Sequence, residues 1–267
     1  MIPVTGAGRA PLRIAAVQCC PVTGDVAGNA AAHAAWIASA AAAGARVVLF
    51  PQLSLTGYDP DLIDLHQVRV QPGDPRLAVL AEACRQHQVH AFFGAPVAEP
   101  RPQAVGGKLA AQGPPRVGVL QAEPSGRVRV AYLQRFLATG EIGIFGPGQG
   151  DAVVSVDGWR LALASGRDCT VPEHATRLAY GGADAYLAGA FFPLGAETRL
   201  EAALSGAAAG GLWTVLAQFC GGTGGGPACG GSGAWAPGGA RVAEVGTEPG
   251  IAVVEMSAAG AAGVVSS

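Results

Sequence analysis

Lysine is almost absent from this chain of 267 residues: Lys108 is the only one, and arginine supplies the rest of its 17 basic residues. Charged residues of both signs make up only 13%, and the formal net charge is −2. Such a chain has no basic surface with which to bind a phosphate backbone, so we expect no nucleic-acid partner. A mechanism that needs a buried lysine would depend on Lys108.

Long hydrophobic runs are missing as well. The longest apolar stretch, 30–48, is interrupted by His33, Ser39 and Arg46 and falls short of the ~20 continuous residues that span a membrane. Residues 1–11 lack the apolar segment of a signal peptide. The six cysteines show no CxxC spacing and the five histidines no HExxH spacing. We therefore expect a cytoplasmic protein with reduced thiols, no membrane contact, no metal and no other cofactor.

What is abundant is apolar and small: half of the residues are hydrophobic and 41 are glycine. A weakly charged chain of this length folds around a large core. Strand-like and helix-like segments alternate, which indicates an α/β layered architecture. Helices are predicted at 25–43, 75–87, 172–181 and 196–209, and strands at 13–20, 46–50, 89–94, 116–120, 128–133, 159–165, 183–187, 213–219, 232–236, 240–245 and 250–255.

Two segments break this alternation. Residues 98–116 are rich in Pro, Gly and Gln and predict an irregular excursion. Gly221–Gly231 has seven glycines in eleven positions but no strand-to-helix context for a nucleotide-binding glycine motif, so it predicts a mobile loop. We expect one domain over 13–257, with an N-terminal tail at 1–12 and a C-terminal tail at 258–267.

The order of the segments resembles the nitrilase (carbon-nitrogen hydrolase) superfamily over nearly the whole chain, from Arg13 to Glu255. Each motif is weak alone, but their order is specific. They are Arg13–Gln18, Gly44–Pro51 running into Leu53–Tyr58, Tyr132–Leu137, Phe145–Gly148, Asp168 with Pro172-Glu173, Gly182–Asp184 and Gly231–Trp235. The resemblance implies a four-layer αββα sandwich, in which two mixed β-sheets are flanked by helices. It also implies a homodimer or larger homo-oligomer, assembled through the helical faces.

Members of that family hydrolyse or condense nitriles and amides with a Glu-Lys-Cys triad. The thiolate attacks the carbon, the carboxylate acts as general base and the ammonium stabilises the oxyanion. The flanking motifs place Gln52 at the glutamate position, Gln134 at the lysine position and Gly166 at the cysteine position. Glu141 matches a further acid of the family, in the loop after the lysine strand, and is the one chemically active group kept there.

Four residues near these positions are further candidates. Cys169 is either a displaced nucleophile, with a thiol pKa lowered by Arg167, or a small buried residue at the start of a helix. Tyr58 and Arg167 are candidates for contact with a ligand, with packing as the alternative role of Tyr58. Asp168 is a neighbouring residue that fixes the alignment of the cysteine position.

The residues at the matched positions have alternative roles too. Gln52 and Gln134 either line an open, neutral pocket or hydrogen-bond one another and close it. Glu141 is either a general acid or base, or a carboxylate that anchors its loop.

Three functions follow from this reading. The first is a non-thiol enzyme of specialised metabolism that carries out a cyclisation, elimination or hydration on a small polar amide, carboxylate or carbonyl compound. The second is a pseudoenzyme that binds such a ligand, or a partner protein, as a scaffold. The third is a carbon-nitrogen hydrolase that uses Cys169.

Overall fold

The computed structural model describes residues 9–59, 68–98, 113–257 and 263–264. Lys108 and most of the predicted excursion at 98–116 lie outside these ranges, as do residues 1–8 of the predicted N-terminal tail. Among the described residues, no helix is long and apolar enough to cross a membrane.

Two mixed β-sheets form the centre of the fold. Sheet I has seven strands in the order β15-β14-β1-β2-β3-β4-β5, and sheet II has six in the order β13-β12-β9-β8-β7-β6. The strands of sheet I are β1 (Leu12–Gln18), β2 (Val47–Leu49), β3 (His90–Val97), β4 (Arg116–Ala122), β5 (Val128–Leu133), β14 (Gly250–Met256) and β15 (Gly263–Val264). Those of sheet II are β6 (Val153–Val156), β7 (Trp159–Ser165), β8 (Ala185–Ala190), β9 (Trp213–Gln218), β12 (Gly233–Trp235) and β13 (Arg241–Glu244).

Among the described residues, four helices cover the outer faces of the sheets. The helices are α1 (Val26–Ala42), α2 (Ala78–His87), α3 (Pro172–Tyr180) and α4 (Glu197–Ala209). One apolar cluster joins α1 and α2 to sheet I, a second fills the space between the sheets, and a third joins α3 and α4 to sheet II. The protein is thus the four-layer αββα sandwich that the sequence predicts.

Three strand features differ from the sequence-based assignment. Strand β6 pairs with β7 through a turn at Asp157-Gly158, where both residues have positive φ, as a two-residue hairpin requires. The glycine-rich segment contains a short hairpin, β10 (Gly222–Thr223) with β11 (Gly226–Pro227). Strand β15, which lies inside the predicted C-terminal tail, pairs with β14. Strands β6, β10 and β11 have only 4, 2 and 2 residues, too few for a hydrophobic period to reveal them.

Parallel pairing brings the carboxyl ends of neighbouring strands to the same edge of each sheet. Strand β2 is parallel to its neighbours in sheet I, and β7, β8 and β9 are parallel in sheet II. The backbone that follows β2 passes between the sheets, where it is packed against two glycines. A Cβ at Gly94 would collide with the backbone of Pro51 to Leu53, and one at Gly189 would lie 2.6 Å from the Phe50 carbonyl oxygen. Both strands therefore need glycine where this turn crosses them.

Candidate functional site

The two glutamines and Glu141 meet where β2 and β5 end. Gln52 Nε2 donates to Gln134 Oε1 at 2.8 Å and to Glu141 Oε1 at 2.7 Å. Gln134 Nε2 donates to Glu141 Oε2 at 2.7 Å and to the Phe136 carbonyl at 2.9 Å. All three side chains are almost completely buried. The sequence left open whether the amides bond one another, and in this structure they do.

Glu141 lies in a 3₁₀ turn, Thr139–Glu141, that directs its carboxylate inwards. Besides the two amides, it accepts from the Ala138 backbone N–H at 2.7 Å and from the Tyr58 hydroxyl at 3.4 Å. Each carboxylate oxygen thus has two donors. We call Gln52, Tyr58, Gln134 and Glu141 the front cluster.

Burial and the adjacent Glu141 carboxylate raise the pKa of Tyr58 well above its usual range. The phenol therefore stays protonated at neutral pH and acts as a hydrogen-bond donor to the carboxylate.

Gly166 follows β7 and adopts a left-handed conformation with φ of 50°. A Cβ built at this position would lie 2.5 Å from Gln52 Nε2 and 2.8 Å from Gln52 Cδ. The Gln52 amide therefore occupies the space into which a side chain at residue 166 would project.

Cys169 lies on the other side of the same turn. Its side chain belongs to the apolar cluster between sheet II and helices α3 and α4. Its Sγ lies 2.7 Å from the Gly166 carbonyl oxygen. Burial raises the pKa of this thiol, with a smaller contribution from the Asp168 charge. The expectation of a pKa lowered by Arg167 is therefore wrong, because desolvation disfavours the thiolate.

Asp168 is the centre of a second buried group, the rear cluster, which comprises Tyr132, Asp168, His174 and Tyr186. The carboxylate accepts from the Tyr132 hydroxyl at 2.7 Å and from the Ser165 backbone N–H at 3.2 Å. It also accepts from the backbone N–H groups of residues 135 and 136, at 3.2 and 2.9 Å. His174 lies between the two phenols, 3.2 Å from the Tyr132 oxygen and 2.9 Å from that of Tyr186.

Burial changes the proton affinity of this rear cluster. It raises the pKa of Asp168 to about 6, against the opposing effect of its hydrogen bonds, and lowers that of His174 to about 4. His174 is therefore neutral at pH 7.

A cavity of about 270 Å³ opens beside the front cluster. Its wall includes Gln52, Tyr58 and Glu141, together with Arg167 and Thr170. The remaining lining residues are Ala138, Phe191, Phe192, Pro193 and Arg199. The Tyr58 and Phe191 rings stack with centroids 4.3 Å apart and form an apolar wall. Its volume is at the lower end of the range for ligand pockets, which suits a small compound.

Not every candidate residue from the sequence analysis lines the cavity. Gln134, Gly166, Asp168 and Cys169 are not among its lining residues. Conversely, Phe191 and Arg199 line it without having been selected, because they follow β8 and begin α4, far along the chain from the matched motifs. Among the described residues there is no group of three or more His, Cys, Asp or Glu side chains that could hold a metal ion.

The fold and the position of this site define a carbon-nitrogen hydrolase scaffold. The chain belongs to the carbon-nitrogen hydrolase family, whose pattern matches residues 13–264. Among curated proteins, none matches it significantly.

Solved structures of an amidase from Nesterenkonia sp. AN1 are similar to this chain. One, a double mutant in complex with acrylamide, is 27% identical, with a TM-score of 0.78 over 93% of this chain and 91% of that one. A second is a crystal structure of an amidase from Nesterenkonia sp.; it is 26% identical, with a TM-score of 0.79 over 95% of this chain and 93% of that one. A third, 26% identical with a TM-score of 0.79 over 97% and 94%, is a glutamate-to-glutamine mutant that shows covalent addition of the acetamide moiety of fluoroacetamide at the active site cysteine.

Proposed function

We propose that this chain binds a small polar amide, carboxylate or other carbonyl compound in the cavity beside Gln52 and Glu141, and that it does not hydrolyse amides through a thiol. The observation that carries the proposal is at Gly166, where no thiol exists and the Gln52 amide fills the space that a side chain would need. The neighbouring thiol of Cys169 is directed into the helical layer instead.

The protonation state of Cys169 supports the same conclusion. A nucleophilic cysteine needs a thiolate and a nearby base. Burial raises the pKa of Cys169, and its sulfur lies next to a backbone carbonyl rather than a base. The related amidase, by contrast, reacts covalently at its active site cysteine.

The proposal is tested by incubating the folded protein with fluoroacetamide and analysing it by mass spectrometry, with ammonia release from acetamide and propionamide measured in parallel. We expect no adduct on Cys169 and no ammonia release. Cys20 is exposed and serves as the internal control for alkylation by iodoacetamide. Ammonia release that disappears in Cys169→Ala would overturn the proposal and favour a hydrolase that uses Cys169.

Ligand binding is tested separately by thermal shift. A compound present at 100 times its Kd stabilises the folded state by about 2.7 kcal/mol. If no amide, carboxylate or carbonyl compound of suitable size raises the Tm, the cavity is not a ligand site. The alternative function, a scaffold that binds a partner protein, would then replace the proposed one.

A second candidate is a non-thiol enzyme, and it is favoured by the presence of Glu141 in the cavity wall. As a general acid or base this carboxylate would support a cyclisation, elimination or hydration. Glu141→Gln would then leave ligand binding in place and lower turnover by roughly 10²-fold. The four donors that surround the carboxylate oppose this role, because accepting a proton would break at least one of those hydrogen bonds.

A further inference from the structure

Two arginines at the mouth of the cavity have no ion-pair partner in the part of the chain that the structure describes. Arg167 belongs to the turn after β7 and Arg199 to the first turn of α4, and both are exposed. Neither forms an ion pair with any carboxylate of the described residues, whereas Arg135 and Arg177 both pair with Asp151. The Arg199 guanidinium lies 5.8 Å from the centre of the Phe192 ring, which also lines the cavity. Within the described ranges, no carboxylate therefore neutralises the two positive charges at the mouth.

The inner end of the cavity, formed by Gln52, Tyr58 and Glu141, offers hydrogen-bond acceptors rather than positive charge. Both amide hydrogens of Gln52 and both of Gln134 are used within the front cluster or by the Phe136 carbonyl. The Tyr58 hydroxyl donates its hydrogen to Glu141. The four donors around Glu141 use the lone pairs of its carboxylate. What remains available to a ligand is acceptor lone pairs on the Tyr58 oxygen and on Gln52 Oε1, which also accepts from the Phe191 backbone N–H. This end can therefore satisfy a ligand's N–H or O–H group and repels an anion.

These two ends select one class of ligand. We propose that Arg167 and Arg199 bind the carboxylate of a small compound whose other end carries an N–H or O–H donor directed at Tyr58 and Gln52. Guanidinium groups bind carboxylates through charge-assisted hydrogen bonds. The stacked Tyr58 and Phe191 rings in the cavity wall suit a short hydrocarbon spacer. Short amino, hydroxy or amido carboxylates have this arrangement. The inference rests on the proposed function, since it assigns a ligand class to the same cavity.

Four probes separate the two ends of the ligand: β-alanine, 3-hydroxypropionate, propionamide and propylamine. Kd is measured by isothermal titration calorimetry for the parent, Arg167→Gln and Arg199→Gln. Arg127→Gln is the matched control, because Arg127 is also an exposed arginine without an ion pair among the described residues, but lies in the β4–β5 turn.

We expect the two carboxylates to bind the parent more tightly than propionamide or propylamine. Arg167→Gln and Arg199→Gln should each raise the Kd of the carboxylates about ten-fold, as expected for loss of a charge-assisted hydrogen bond, and leave the Kd of propionamide unchanged. Arg127→Gln should change neither.

Three results would count against the assignment. If propionamide or propylamine binds the parent and the carboxylates do not, the carboxylate assignment fails while the proposed binding function stands. The same conclusion follows if the carboxylates bind equally well to the parent and both arginine variants. If none of the four probes binds the parent at tens of millimolar, the proposed function fails together with this inference.

Discussion

The front and rear clusters are both buried and hydrogen-bonded, yet they serve different ends. The rear cluster holds backbone: its Asp168 carboxylate accepts backbone N–H groups from the segment after β5 and from the end of β7. The front cluster bonds mainly its own side chains and forms part of a cavity wall. We therefore predict that substitutions in the front cluster cost less stability than substitutions of Asp168 in the rear cluster.

The largest expected effect is on the rear cluster. Asp168→Ala should lower the free energy of unfolding by about 3 to 5 kcal/mol, because the buried Ser165 N–H, two partly buried backbone N–H groups and the Tyr132 hydroxyl lose their acceptor. Urea unfolding followed by circular dichroism measures it. Asp184→Ala is the control, since Asp184 is a partly exposed ion-pair partner of Arg9. A loss no larger than that of the control would mean that the rear cluster is not structurally required.

Acid should destabilise the protein through its buried histidines. Burial lowers the pKa of His33 to about 3 and that of His174 to about 4, so the stability that these neutral rings provide is present above pH 6.5 and is lost as the pH falls. Asp168 has the opposite sign, because its pKa is raised to about 6 and its protonation favours the folded state as the pH falls from 6 towards 4. Between pH 6.5 and 4, protonation of His33 and His174 thus costs stability, as does that of His90, whose pKa burial also lowers, whereas protonation of Asp168 adds stability. We expect a net loss on the order of 3 kcal/mol.

Replacing one histidine sharpens this prediction. His33 stacks on Phe50 with ring centroids 4.0 Å apart, so His33→Phe keeps an aromatic ring in place and removes the titration. Unfolding of this variant in urea at pH 7, 6 and 5 should depend little on pH, since His174 and Asp168 then oppose each other. A variant as acid-sensitive as the parent would show that His33 does not carry the effect.

In the front cluster, we expect the stability effects of substitutions at residues 52 and 166 to depend on each other. Gly166→Ala should cost about 2 kcal/mol, because its left-handed backbone disfavours a Cβ and the Gln52 amide is in the way. Gln52→Ala removes that obstacle, so the double variant should be more stable than the sum of the two single losses by at least ~1 kcal/mol. Thermal unfolding of the four proteins completes the cycle. Additive losses would show that Gln52 does not fill the space beside Gly166.

The smallest effect is expected at Cys169, on the side of the turn away from the front cluster. Cys169→Ala should cost about 1 kcal/mol, through loss of packing against the helical layer, and should leave the Kd of any cavity ligand unchanged. Isothermal titration calorimetry with β-alanine measures this. A Kd that changes several-fold would place the thiol within reach of the ligand.

Much of the fold was predictable from the sequence, because long amphipathic segments and turn glycines determine the order of strands and helices. The matched motifs also identified positions 52, 134, 141 and 166. The hydrogen bonds among them were not predictable, since two amides and a carboxylate can pair in several ways that depend on side-chain torsions and on the spacing of the sheets. Arg199 and Phe191 were missed because tertiary structure alone brings the end of β8 and the start of α4 to the cavity. Homo-oligomer formation and a cytoplasmic location stay predictions.

Gly94 and Gly189 face the turn after β2 from opposite sheets, and at this point the gap between the sheets is set by main chain against main chain. A library that diversifies Gln52, Gln134, Gly166, Arg167 and Arg199 would therefore vary the contents of the cavity while its frame stays at a fixed width. Variants at the two glycines should be recovered rarely from such a library, whatever ligand is selected. The chain thus separates an invariable frame from exchangeable side chains, which makes it a suitable starting point for designing new small-molecule binding sites.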